Sequence, residues 1–477
     1  MKVFQFIQIF ALCLLIAPAH AQTNPAAELL RELIRIDTSN PPGNEGALAE
    51  FLRPKFEDLG FEVSIIETPA EGKAHFIARL RGDGSKRPIL LAAHADVVGV
   101  EPDLWTQEPF AGDIVDGYVY GRGAIDFKGG LAVFAEAVME LARNDVPLAR
   151  DVIFLAEADE EGGSYGTGWL AQDHWHLIDA EFALNEGGWI IKRPNSEGRS
   201  DDVRYVSIST ADKFMLSLRI TASGHSIHSS MPRPDNAIFA LAKALDRLSE
   251  YDGGVQFIPI TRQFFETLAL TAEEPEKTWL EDFIAGTDAA RAAQADRQIG
   301  VDPLLRAFTR NTIAPVILEA GFRINVIPGT ATALVNFRLI PGTDVAAFIE
   351  EIRRVTADPA ISVEILTSDS QEAALAGLQE RSRQLPSPED TELYQALAAS
   401  AREQYPEALV TSYLFQAGTD AGAWRNRGVP VYGIYPYPID QDDLSRMHGN
   451  DERVPVQSLA EGTEMIYRVL VDVAAAD

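Results

Sequence analysis

The chain has 477 residues, 46% of them hydrophobic and 23% charged, an ordinary globular composition with length for two or three domains. Lysine plus arginine number 41 against 71 aspartate plus glutamate, a net charge of -30. Phosphate backbones and anionic lipid surfaces are repelled by such a chain, so neither nucleic acid nor a membrane surface is expected as a partner.

Residues 1–21 combine Lys2, an apolar run over 3–17 and the small-x-small sequence Ala19-His20-Ala21, which reads as a secretory signal peptide cleaved before Gln22. Gln5, Gln8 and Pro18 interrupt the run and argue against a membrane anchor. Export to the periplasm or the medium is therefore expected. The single cysteine, Cys13, lies inside this segment, so the mature chain has neither disulfides nor thiolate chemistry. Nothing downstream is apolar enough to span a bilayer, and the mature protein is expected to be soluble, with no membrane contact.

Residues 22–204 alternate helical and strand periods. Apolar faces recur over 25–60 around the loop SNPPGNEG; short buried strands are predicted at 76–80, 89–93, 152–156 and 181–184, and a helix over 131–141. This alternation predicts a layered α/β domain. Near 205 the pattern changes. Strands at 205–209 and 214–221, a helix over 236–248, strands at 323–328 and 332–339, a helix over 345–355 and a strand at 361–366 predict an α+β module spanning 205–380. Residues 252–312 within it read as helical embellishment. Residues 381–477 return to the first domain, with a helix over 393–404 and a strand at 429–435.

Acidic and histidine residues cluster at the predicted strand ends, where open sheets place ligand sites. They are His94-Ala95-Asp96; Asp126 within a glycine-flanked turn; Glu157-Ala158-Asp159-Glu160-Glu161 ahead of Gly162-Gly163; Asn185-Glu186-Gly187; and, far downstream, Met447-His448-Gly449. In an extended chain Asp96 lies on the same face as His94 and can bond its far ring nitrogen. Adjacent buried carboxylates repel unless a cation holds them. Two histidines with three acidic groups form an imidazole and oxygen donor set that zinc accepts without cysteine.

In this order the motifs resemble the cocatalytic dinuclear-zinc family of glutamate carboxypeptidase, aminoacylase, acetylornithine deacetylase, succinyl-diaminopimelate desuccinylase and carboxypeptidase S. The resemblance implies a zinc-exopeptidase-like α/β catalytic domain with an inserted α+β lid that dimerises. It implies two divalent ions, zinc with cobalt or manganese as substitutes, bridged by Asp126. His94 and Glu186 would complete one and Glu161 and His448 the other. Asp96 would support His94, and Glu160 would be the general base. In the lid, Gly224-His225-Ser226-Ile227-His228 resembles the segment whose histidine reaches the partner subunit's site; His228 aligns best, with His225 as the alternative. Asn325 and Arg338 resemble the residues presented to a substrate carboxylate, a task suited to the arginine fork. Asn325 and Arg338 lie 13 residues apart around Pro328-Gly329, so a hairpin is expected to bring them to one end. Gly418 and Thr419 resemble the loop beneath the substrate.

The function implied is hydrolysis of the amide bond of small peptides or N-acyl amino acids with a free carboxylate. An aminopeptidase or dipeptidase, and a non-catalytic exported solute-binding protein, are the alternatives. Glu160 beside Glu161 argues against the last, because a binding protein has no use for an unliganded carboxylate next to a metal ligand.

Overall fold

The computed structural model describes residues 24–193 and 202–476; the expected signal peptide and Cys13 lie outside them. The large sheet has eight strands, in the order Glu62–Glu67, Ala74–Leu80, Val152–Glu157, Ile89–His94, Phe182–Lys192, Val431–Ile439, Val203–Asp212 and Leu409–Phe415. Its middle four strands run parallel. They are buried almost throughout, as parallel strands covered on both faces must be. Alternation of side chains divides the core into two layers. Leu91 and Ala93 join the layer under helices Pro25–Arg35, Lys128–Arg143 and Val456–Ala474, while Leu90 and Ala92 face the layer containing Trp424.

A separate antiparallel sheet has the order Thr312–Ala320, Thr330–Leu339, Phe214–Ser223, Ile361–Ile365. Helices Ala237–Ser249 and Val345–Val355 close one face of it over a second core. No helix among the described residues is long and apolar enough to cross a membrane.

Three sequence expectations are corrected. The strand Val203–Asp212 belongs to the large sheet, so the inserted sheet begins at Phe214 rather than at 205. One residue, Lys213, separates the two strands, too short a link for a hairpin; the chain crosses from one sheet to the other there. The helices within 252–312 do not pack with the inserted module. Phe264 and Phe308 of helices Pro259–Ala269 and Pro303–Phe308 pack on Tyr205 and Tyr413 of the large sheet, Phe308 stacking on Tyr413 at 4.6 Å. Finally, the strand expected at 323–328 shrinks to Val326–Ile327, paired with Ile227–His228. The edge strand is instead Thr312–Ala320, which the sequence conceals because Pro315 interrupts it and its apolar residues face outward.

Candidate metal centre

His94 ends a central strand, and its Nε2 stands 3.1 Å from Asp126 Oδ1 and 3.7 Å from Glu186 Oε2. His448 approaches from the last segment of the chain, with Nε2 2.9 Å from Asp126 Oδ2 and 3.1 Å from Glu161 Oε1. Asp126 therefore presents one oxygen to each histidine. Two ligand groups result, His94-Asp126-Glu186 and Asp126-Glu161-His448, each with donor atoms within 4.8 Å of one another. Nitrogen and oxygen donors in two sets sharing one carboxylate fit a pair of divalent ions. His94 also groups with Glu160 and Glu161.

Several local features hold these side chains. Glu452, fully buried, accepts N–H bonds from Gly123, Ile125 and Asp126 and pairs with Arg122 Nη1 at 2.5 Å. This gathers the turn that carries Asp126. Glu186 lies where pairing with Val431–Ile439 slips register. There Gly433 is required by close approach, since a Cβ would fall 2.1 Å from the Glu186 carbonyl oxygen. His448 adopts the left-handed region at φ 60°, a conformation that costs a non-glycine residue energy and is held here by the surrounding loop.

Asp96 works differently from the sequence expectation. The Nδ1 of His94 faces the Asp96 backbone carbonyl at 2.9 Å, while the carboxylate is 3.7 Å away. That carboxylate instead accepts the N–H groups of Glu160 and Glu161 at 3.2 and 3.0 Å and the Asn40 amide at 2.7 Å. It thus fixes the loop bearing the general-base candidate and a ligand. Asn40 in turn bonds Asp159 at 2.8 Å and receives Lys73 Nζ at 2.8 Å.

Electrostatics at the centre are those of crowded buried acids. Burial, reinforced by the Glu186 carboxylate, pushes the Glu160 carboxyl well above its usual range. Burial likewise lifts Glu186 to about 7, with Asp126 adding repulsion. Burial would raise Asp126, but hydrogen bonds from His448 and His94 hold it low. Burial would lower His448, but Asp126 and Glu161 outweigh it and carry the imidazole up to about 11. Such a cluster calls for added positive charge, which divalent cations provide.

A cavity of about 430 Å³ opens onto the centre. Asp126, Glu160, Glu161, Glu186 and His448 line it together with Arg338, Gly418 and Thr419. Arg338 lies above Gly418, where a Cβ would already touch its Nη1 at 3.5 Å; a longer side chain would crowd the guanidinium. Thr419 Oγ1 donates to Asp212 Oδ2 at 2.6 Å, which also pairs with Arg425. The expected hairpin does not bring Asn325 to Arg338. Asn325 precedes the strand Thr330–Leu339 and Arg338 nearly ends it, and eight residues of strand span roughly 26 Å. Asn325 sits instead beside His228, its carbonyl accepting the Ser229 N–H at 3.0 Å, and neither residue lines the cavity. His225 pairs with Asp235 on the exposed surface.

Sequence reasoning missed Tyr435. Its hydroxyl donates toward Asp126 Oδ1 and Glu186 Oε2, each at 3.0 Å, and its ring stacks on Trp189 at 4.0 Å. Nothing but the repeated Tyr-Pro of the strand hinted at it. Asp440, Asp442 and Asp443 also group closely, but Arg446 and Arg453 already pair with Asp442 and Asp443, and Asp440 caps a helix turn.

The model of peptidase family M20/M25/M40 matches residues 90–472. The chain belongs to that family. It is 29% identical over 397 residues to "Probable carboxypeptidase S-like 2" of Dictyostelium discoideum, covering 81% of this chain and 72% of that one. It is 28% identical over 459 residues to the human "N-fatty-acyl-amino acid synthase/hydrolase PM20D1", covering 93% and 86%. Among solved structures it resembles the M20 family metallo-carboxypeptidase Sso-CP2 of Sulfolobus solfataricus, with TM-score 0.67, 18% identity and coverage of 94% and 99%. The protein is thus a hydrolase of the metallopeptidase and amidohydrolase type, with a mixed α/β fold shared by this family.

Proposed function

We propose that this protein uses two divalent ions, zinc in the first instance, to hydrolyse the amide bond of short peptides or N-acyl amino acids that carry a free carboxylate. The observation that carries the reading is one cavity whose wall holds Arg338, Glu160 and Asp126, the last shared by the two histidines. The relatives' names, a carboxypeptidase and an N-fatty-acyl-amino acid hydrolase, support the same bond.

His94, Asp126 and Glu186 would hold one ion, and Asp126, Glu161 and His448 the other. When bound, the ions supply Lewis acidity toward the amide carbonyl and favour deprotonation of water. Arg338 holds the substrate carboxylate in its fork and so sets the scissile amide in place. Glu160, held by the Asp96 contact to its backbone, takes the proton of the attacking water and delivers it to the amide nitrogen. The C–N bond breaks, releasing a carboxylic acid and an amino acid. Burial that raises the affinity of Glu160 for a proton suits it to both halves of that transfer.

We also propose export, read from residues 1–21, and a homodimer through the inserted module. Val316, Ile317 and Leu318 are exposed along the edge strand Thr312–Ala320, an open template for pairing with a second copy. His228 and Asn325, remote from their own chain's centre, would then serve the partner's.

Hydrolysis of N-acyl amino acids by chelated protein, with zinc, cobalt or manganese restored, tests the chemistry. Activity should vanish on chelation and return with metal. Activity that ignores chelation, or equal rates on acids and carboxamides, would remove the reading, the latter in favour of an aminopeptidase. Mixing His228→Ala with Glu160→Gln chains should restore part of the activity if His228 acts in trans. No recovery despite subunit exchange rejects that role.

A further inference from the structure

We infer that the wall around Arg338 is a binding subsite for a large aliphatic or aromatic side chain on the amino acid that carries the carboxylate. This rests on the function proposed above and goes further, because it names the leaving group. The side chain and carboxylate of an amino acid branch from one carbon, so a carboxylate held by Arg338 puts the side chain within a few ångströms of that guanidinium.

Apolar groups occupy that position. Met215 is directly opposite Arg338 across the pair of strands Phe214–Ser223 and Thr330–Leu339, and opposed residues share a face. Phe214 and Leu216 turn inward to the lid core, leaving Met215 on the open face, 45% exposed. Leu385 lines the same cavity and is 83% exposed, and Pro341 lies beside it. A wet methionine and a wet leucine flanking a cation in a reaction cavity gain from covering by an apolar group.

There is also room. A second cavity, of about 610 Å³, shares Pro341, Gln384 and Leu385 with the first and continues past Ile258 and Ile260. Of its polar side chains, Thr343, Ser382 and Gln384 bond within the protein and Asp344 caps a helix, which leaves Gln379 and Arg383. Gln384 donates to Asn426, and Ser382 Oγ to the Thr343 carbonyl at 2.7 Å. The stretch over Ile258, Ile260, Pro341 and Leu385 suits hydrocarbon better than a peptide, whose N–H and C=O groups would find few partners there.

The rival occupant is an acidic side chain attracted by the remaining cations of the wall. Lys213 Nζ is spent on the carbonyls of Ala307 and Arg310, and Arg425 on Asp212. That leaves Arg381 in the first cavity and Arg383 in the second, both exposed to solvent, where screening weakens each pair.

The test is kcat/KM of the metal-loaded full chain on N-acetyl derivatives of Gly, Ala, Leu, Phe and Glu. Leu and Phe should exceed Ala by about ten- to a hundredfold. Met215→Ser and Leu385→Ser should each shrink the Leu-to-Ala ratio by about threefold or more. A Glu derivative that equals or outruns Leu would overturn the inference, and loss of that advantage in Arg381→Ala or Arg383→Ala would name the cation responsible. So would a Leu-to-Ala ratio unmoved by both serine variants. Hydrolysis of none of the substrates with any of the three metals would instead overturn the reading of function beneath it.

Discussion

Arg338→Ala is the most informative single change. The guanidinium is largely withdrawn from water in the cavity wall and faces the carboxylates of Glu160, Glu161 and Glu186 across the cavity. A substrate carboxylate entering the cavity meets Arg338 on the wall that faces the ligand carboxylates and Glu160. A charge-assisted hydrogen bond contributes about 1.5–3 kcal/mol, and a bidentate fork makes two. Solvent at the mouth reduces the sum, so a loss of about 3–4 kcal/mol is expected, or roughly two to three powers of ten in kcat/KM. The carboxamide of the same substrate cannot form the ion pair and should lose less than about tenfold. Measured as a cycle, wild type and Arg338→Ala against acid and carboxamide, the coupling should therefore exceed tenfold. Arg338→Lys should recover part of the loss, since it keeps the charge without the fork. If acid and carboxamide fall equally in Arg338→Ala, the residue shapes the lid and does not recognise carboxylate.

The other expectations concern the centre and its supports. Glu160→Gln should retain both metals by elemental analysis yet lose about a hundred- to ten-thousandfold in kcat; loss of metal instead would exchange the roles of Glu160 and Glu161. Tyr435→Phe keeps the stack on Trp189 but removes the hydroxyl shared by Asp126 and Glu186. Metal affinity, measured by competition with a chelator, should fall about 10- to 100-fold, and an unchanged affinity would deny the hydroxyl that role. Asp96→Asn tests the loop contact through pH. Burial would raise the Asp96 carboxyl, but His94, Asn40 and the Glu161 N–H hold it below 3.8. Its stabilisation is thus present above that value and lost as pH falls through the lower folded-state value. In denaturant titrations of metal-free protein, the deficit of Asp96→Asn should be clear at neutral pH and shrink in acid; a deficit constant with pH would contradict the ionised contact.

Residue types and their order were enough to point to the family and to a hydrolase. His94, Asp126, Glu160, Glu161, Glu186 and His448 stand out as strand-end acids and imidazoles, because buried carboxylates are too costly to occur in numbers without a cation. The layered α/β class was legible for the same local reason: unbroken apolar runs such as 89–93 and 152–156 belong to strands covered on both faces. What a sequence cannot show is which sheet a strand joins, since pairing is a long-range choice made by shape and burial. Val203–Asp212 looks locally like the first strand of the insert, yet it is held between Phe182–Lys192, Val431–Ile439 and Leu409–Phe415. The helices of 252–312 carry phenylalanines that either domain would accept, and only Tyr205 and Tyr413 decided between them. The same limit governs the site. Tyr435 and Glu452 act through contacts with residues more than 240 and 320 positions away, and the separation of Asn325 from Arg338 followed from the length of one strand lying between them.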